Sequence, residues 1–234
     1  MPAVAPSRSA NHLLAALPLG SYRRMSRALE PVSLEFGQII CEPGDALRHV
    51  YFPLDCLISL LAAVNGGEDD LEVGLVGREG LAGMPLALGN RTSPVRELVQ
   101  GAGSALRMPA KRFVEELARA PNLRRLIDRC VFVAMSTAMQ IAACNKSHVL
   151  EARLARWLLM VRDRLGRNEF YLTQDFLARM LGVRRAGVNE AAGALQQRKL
   201  IDYRRGNVRL LDAPGLRPVA CSCYEVIRKL ENGG

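Results

Sequence analysis

The sequence contains no G-x-S-x-G elbow, no Walker loop, no H-E-x-x-H pair and no Cys–His pairing with local support, so the common signatures of an enzyme are missing. No stretch approaches about 18 uninterrupted apolar residues, which argues against a membrane-spanning helix. The opening MPAVAPSRSAN is too polar and Pro-rich for a signal-peptide core, and residues 1–11 are expected to form a disordered leader. Six cysteines without regular pairing suit a reducing cytoplasm better than a disulfide framework. Histidine is scarce, and His12, His49 and His148 are read as ordinary polar residues. Cys221 and Cys223 form a lone C-x-C, too little for a zinc site, so no metal is expected.

Acidic charge is short in the second half. Residues 1–110 hold 9 basic and 11 acidic side chains, residues 111–150 hold 7 and 3, and residues 151–210 hold 13 and 6. The positive field therefore sits toward the C-terminus and favours a polyanionic partner, double-stranded DNA above all. The first half instead speaks in strands. Phe36–Cys41, Val50–Pro53, Cys56–Val64, Leu71–Val76, Val95–Gly101 and Ser104–Met108 alternate with turns such as Glu42-Pro43-Gly44-Asp45 and Asn65-Gly66-Gly67. Glu68-Asp69-Asp70 is read as the tip of a hairpin. Many short strands between glycine-rich turns predict a compact barrel or jelly roll.

Leu172–Leu211 carries the clearest pattern. Thr173 is a helix N-cap, Phe176, Leu177, Met180 and Leu181 form an apolar stripe, and Gly182 ends the helix. A second helix over about Arg184–Arg198 turns Val188, Ala191, Ala192 and Leu195 inward and exposes Arg184, Arg185, Gly187, Asn189 and Glu190 at its start. Two strands, Leu200–Arg204 and Asn207–Leu211, meet at Arg205-Gly206 and bear Arg204, Arg205 and Arg209. Helix, glycine turn, arginine-led helix and basic hairpin form a winged helix-turn-helix, which lays its second helix in the DNA major groove.

Between these regions a long helix is predicted over Asn122–Asn145. Its 3.5-residue repeat places Leu123, Cys130, Thr137 and Cys144 in one series and Ile127, Ala134 and Ile141 in another, the seam of a two-helix coiled coil. A second stripe, Val131, Met135, Ala138 and Ala142, is expected to pack against the chain's own β-roll. A homodimer follows, in which Cys130 and Cys144 are either small buried fillers or, each beside its mate, open to interchain oxidation.

The stretches FGQIICEPGDALRHVYF and TQDFLARMLGVRRAGVNEAAGALQQRKLI resemble the Crp–Fnr family of bacterial transcription regulators over about residues 12–211. The tail SCYEVIR resembles a rhizobial-type subgroup. The resemblance implies an α+β fold: a jelly-roll-like β-roll (double-stranded β-helix) sensor over 12–121, a dimerisation helix over 122–146 and a winged helix-turn-helix over 147–234. It also implies that Arg185 reads guanine and that Thr173 and Gln174 meet the phosphate backbone. Arg184 replaces the family's small N-capping residue, while Ala186 and Gly182 stand where it often has Glu, so the family's usual half-site is not implied. The effector cassette is matched only loosely, by Glu79 and Gly80 with Arg96. No cofactor is required, and a cyclic nucleotide is left open. The N-terminal cysteines of an iron–sulfur branch are missing. RNA polymerase is a further partner the resemblance raises. The alternative is a ligand- or redox-sensing β-roll whose DNA-binding domain no longer reads.

Overall fold

Strand alternation in the first half closes into two facing sheets. In the computed structural model, which describes residues 10–64 and 69–233, the short helices α1 (His12–Ala16) and α2 (Leu19–Ser26) precede seven strands. These are β1 (Glu30–Leu34), β2 (Ile39–Cys41), β3 (His49–Pro53), β4 (Leu57–Val64), β5 (Asp69–Val76), β6 (Arg96–Gly101) and β7 (Gly103–Pro109). The expected turn Asn65-Gly66-Gly67, with Glu68 and most of the predicted leader, lies outside the described residues. One sheet has the order β1-β7-β3 and the other β2-β6-β4-β5. Antiparallel pairing sets Val32 opposite Ala105 and Phe52 opposite Leu106.

Successive side chains on a strand point to opposite faces. Leu34, Ile58, Val76, Val99 and Ala105 thereby meet in one buried cluster. A second cluster joins Val50, Phe52 and Met108 to Leu13 and Leu14 of α1, to Leu17 just after it, to Phe113 of α3 (Ala110–Arg119), and to Leu123 and Ile127. The predicted β-roll is therefore present.

The helix α4 spans Pro121–Ser147, two residues longer than expected at its C-terminal end and one at its start. Beyond it come α5 (Leu150–Leu165), β8 (Glu169–Tyr171), α6 (Gln174–Leu181), α7 (Arg185–Gln197), β9 (Ile201–Arg204), β10 (Asn207–Leu210), α8 (Ala213–Leu216) and α9 (Cys223–Asn232). A three-stranded sheet of order β8-β10-β9 forms the wing. The sequence does not announce α5 because the helix is buried nearly all round: Arg153, Arg156 and Arg164 lie inside together with Trp157, Leu158 and Leu159. A helix surrounded by protein has no polar face to mark its period.

The chain divides into two compact units, one running to Leu60 and resuming over Leu75–Ala134, the other made of Leu61–Gly74 and Met135 onward. The boundary does not follow the predicted domains. The distal part of the β4–β5 hairpin groups with the second unit, where Trp157 Nε1 donates to Glu72 Oε1 at 2.7 Å. The other boundary falls inside α4.

Which face of α4 is inward differs from expectation. Leu123, Ile127 and Cys144 are 0 % exposed, and Thr137 and Ile141 are also buried. Of the row predicted as a dimer seam, these five residues are buried within the chain, while Cys130 and Ala134 are partly exposed. The exposed apolar side chains are Phe132, Met135 and Met139, at 55 %, 51 % and 63 %. By length and composition α4 is long and apolar enough to cross a membrane. Burial of Leu123 and Ile127 at one end, and of Ile141 and Cys144 at the other, commits one face to protein instead.

Candidate nucleic-acid interface

The reader is built from two helices in sequence, the first of them capped at both ends. The backbone N–H of Phe176 donates to Thr173 Oγ1 at 3.2 Å, so Thr173 caps α6 as its sequence position requires. At the other end Gly182 adopts φ +62°, the left-handed conformation that glycine takes without a Cβ penalty. The Leu181 carbonyl, one of the helix's unpaired C-terminal acceptors, receives a hydrogen bond from the buried guanidinium of Arg153 on α5. That bond leaves no mark in the sequence, since 28 residues separate the partners. It fixes the turn between α6 and α7 to the helix beneath.

Arg184 is the N-cap of α7 and makes no side-chain capping bond, as its chemistry implies. Arg185 is the first helical residue. Its guanidinium is well exposed and rests loosely on α6, with Nη1 3.5 Å from Asp175 Oδ1 and Nε 3.4 Å from Gln174 Oε1. Asn189 and Glu190 are exposed one turn further on. Gly187 is partly exposed, and a Cβ there would lie 3.0 Å from Leu150 Cδ2, so the residue also lets α7 approach the start of α5.

The wing turn is tight. Arg205 and Gly206 both take positive φ, at 48° and 84°, and a Cβ on Gly206 would meet the Tyr171 ring at 2.6 Å. Tyr171 belongs to β8, the third strand, which is too short to read from sequence. Arg204 is exposed and pairs with Asp202 at 3.0 Å; Arg205 and Arg209 are exposed on the same hairpin. Behind it Tyr203 donates its hydroxyl to the Leu172 carbonyl at 2.7 Å. Exposed arginines therefore cluster at the start of α7 and on the wing, over a buried scaffold.

The three residues proposed for an effector are occupied with local structure. Glu79 Oε1 accepts from the Gly77 N–H at 3.0 Å and so stabilises its own turn. Arg96 forms an ion pair with Glu42 at 2.7 Å, and the Gly80 carbonyl accepts from Asn11 Nδ2 at 3.0 Å. A larger feature of the roll is a cavity of about 850 Å³ lined by Leu47, Leu86, Asn90, Arg91, Lys111 and Val114, among others. Arg91 and Lys111 bring two cations, and Glu115 one carboxylate, to a wall that is otherwise mostly apolar. Twenty positions apart, one in a loop and the other on α3, the two cations carry no local signal.

One acid of the roll is unusual. Glu97 is 2 % exposed, and burial pushes its carboxyl up to about 7 despite a hydrogen bond from the Gly83 N–H. In the unfolded chain it returns to the ordinary carboxylate range, near 4.5. Below that range both states are protonated and its contribution to stability is fully present. As pH rises through about 7 the folded state must ionise a buried carboxyl, and the contribution is lost. Glu97→Gln is expected to flatten this part of the stability profile and to raise stability above pH 7. Urea midpoints measured from acid to alkaline pH check it; superimposable profiles for the two proteins would refute the assignment.

Of the two cysteines of the predicted seam, Cys144 is buried and Cys130 is partly exposed. The Cys130 thiol is pushed up to about 11 by burial, which leaves it a poor nucleophile. Cys144 is enclosed in its own unit, 3.4 Å from Cys221 Sγ. The C-x-C of Cys221 and Cys223 therefore does not stand alone.

Residues 152–219 match the model of the Crp-like helix-turn-helix domain. Among solved structures, the fold is similar to that of a putative Crp/Fnr-family transcriptional regulator from Eubacterium rectale, with TM-score 0.67, 16% identity, and coverage of 90% of this chain and 98% of that one. A putative cAMP-binding regulatory protein from Silicibacter pomeroyi gives TM-score 0.64 and 20% identity, over 92% and 97%. The c-di-GMP-responsive global regulator CLP of Xanthomonas campestris gives 0.66 and 18%, over 82% and 99%. No curated protein matches the sequence. The α+β architecture, with β-roll, long central helix and C-terminal helix-turn-helix, is that of the Crp/Fnr fold.

Proposed function

We propose that this chain, with its Crp-like helix-turn-helix domain over residues 152–219, is a transcription regulator that binds a pseudo-palindromic DNA site as a homodimer and has no catalytic activity. The observation that carries the reading is the exposed pair Arg184 and Arg185 at the start of α7, whose inner face is buried, beside a wing bearing Arg204 and Arg205. Arg185 reads a base edge from the groove. Arg184, Arg204 and Arg205, with the Thr173 hydroxyl and Gln174, meet phosphate and set register, and Asn189 faces the same groove. The dimer forms through the exposed row Phe132, Met135 and Met139 of α4, which leaves a large apolar surface uncovered in one copy.

An anionic effector, of the cyclic-nucleotide class that two of the similar structures are named for, fits the roll cavity through Arg91 and Lys111 better than it fits Glu79 and Arg96. RNA polymerase is the partner through which such a regulator acts, and the cytoplasm is where it would act. The tail Ser222–Arg228 alone carries the placement in a rhizobial-type subgroup.

An unbiased DNA selection with the purified chain at two salt concentrations tests the function. An enriched inverted repeat whose binding weakens with salt supports it. Failure to enrich any sequence, with cAMP and cyclic-di-GMP each added in turn, would favour a sensing protein with a silent reader.

A further inference from the structure

Four side chains that the sequence scatters over 80 positions meet at one point of the second unit. Cys144 Sγ, a His148 ring nitrogen, Cys221 Sγ and Cys223 Sγ all lie within 4.8 Å of one another. Cys144 and His148 are one helical turn apart at the end of α4, where the His148 N–H still donates to the Cys144 carbonyl. Cys221 and Cys223 sit in the turn that starts α9. That turn is pinned to α5 because the Cys221 N–H donates to the Ala152 carbonyl at 3.3 Å. We propose that Cys144, His148, Cys221 and Cys223 form a closed structural site for one zinc ion.

The distances suit that ion. A tetrahedral centre with Zn–S bonds of about 2.3 Å separates its ligands by about 3.5–3.8 Å. Cys144 and Cys221 are 3.4 Å apart, and Cys223 Sγ is 3.7 Å from His148 Nδ1. Three soft thiols and one imidazole select zinc over magnesium or calcium, which prefer oxygen. Gln140, one turn before Cys144 on the same face of α4, donates from Nε2 to Cys223 Sγ at 3.1 Å. Outer hydrogen bonds of this kind orient a metal ligand.

Charge supplies an independent reason. Arg156 is 2 % exposed, its Nε has no hydrogen-bond partner, and its Nη1 reaches only the weak acceptor Met160 Sδ. Among the described residues it pairs with no carboxylate. A buried cation needs a compensating anion. Arg156 lies within electrostatic reach of Cys144 and Cys221. Three neutral thiols leave it uncompensated, whereas three thiolates and a neutral imidazole on a divalent ion carry one net negative charge. Binding releases the three thiol protons to solvent and changes no oxidation state. The site would tie the end of α4 to α9 across α5.

The test uses the full chain, purified under reducing conditions without a chelator or a metal-affinity tag. Expected are one zinc per chain by mass spectrometry of the metal, and, after removal and titration with cobalt(II), the visible bands and thiolate charge-transfer absorption of a tetrahedral sulfur-rich site. Zinc should raise the melting temperature and protect Cys144, Cys221 and Cys223 from alkylation in the unmodified protein. Cys223→Ser and His148→Ala should each weaken zinc binding at least about 10-fold, while Cys56→Ser, in the roll, should leave the stoichiometry intact. The wild-type alkylation pattern does not depend on any variant folding. Substoichiometric metal, an octahedral cobalt spectrum, or alkylation of the three thiols at one rate with and without zinc would each overturn the site. A Cys144–Cys221 disulfide formed without metal uptake would overturn it too, and assign the cluster to redox chemistry.

Discussion

Arg185→Ala is expected to lower affinity for the selected DNA site by about 30-fold or more. A bidentate arginine–guanine pair discriminates by about 1–3 kcal/mol, and a two-fold site loses two of them, about 2–6 kcal/mol in all. In the free chain Arg185 gives up little to make that pair. Its partners, Asp175 and Gln174, lie at 3.5 and 3.4 Å on an exposed surface, where ion pairs contribute about 0–1 kcal/mol. The loss should fall on the preferred sequence, with scrambled DNA bound much as before. Arg204→Ala and Arg205→Ala should instead weaken all sequences alike and shallow the dependence of log affinity on log salt by up to about one unit for each phosphate no longer neutralised. Fluorescence anisotropy with both DNAs over a salt series separates the two classes. Arg185→Ala with an unchanged ratio of specific to scrambled affinity would remove Arg185 from base reading.

The pair Met135→Glu and Met139→Glu is expected to raise the dimer dissociation constant by about 100-fold or more, since each glutamate loses its hydration in the seam and meets its like across the two-fold axis. Both methionines are more than half exposed in one copy, so the folded protomer should lose little. Leu123→Ala and Ile127→Ala should do the reverse. They open cavities in a finished core and should cost about 2–5 kcal/mol of folding stability while leaving the monomer–dimer equilibrium nearly unchanged. Sedimentation equilibrium, with unfolding curves on the same proteins, distinguishes the two rows. Dissociation by Leu123→Ala with an intact Met135/Met139 double variant would restore the seam read from the heptad pattern.

A 3.5-residue repeat states that one face of a helix is apolar, and α4 has two such faces. The row through Leu123, Ile127 and Cys144 is legible in the sequence. The second stripe read there, Val131, Met135, Ala138 and Ala142, is not the exposed apolar row Phe132, Met135 and Met139, and Met135 and Ala142 are exposed where packing was expected. Periodicity alone does not say which one the chain keeps for itself. That depends on which other segments pack on each stretch of the helix, and the packing gives the inner row to the protomer. The same limit hid Arg153. An arginine among the several charged residues of α5 resembles a solvated side chain until the carbonyl of Leu181, distant in sequence, is brought to it.

The sequence by itself determined what depends on near neighbours: the strands of the roll except β1 (Glu30–Leu34), which it did not reveal, the Thr173 cap, the left-handed Gly182, the arginines at the head of α7, and the turn at Arg205-Gly206. These follow from backbone sterics, capping and side-chain alternation, which act over a few residues. Only the tertiary structure decided what depends on the packing of distant segments. Among these are the face of α4 that is buried, the third wing strand, the cavity with Arg91 and Lys111, and the meeting of Cys144 and His148 with Cys221 and Cys223. Each needs residues tens of positions apart to share one place, and that arrangement comes from burying all the apolar surfaces together.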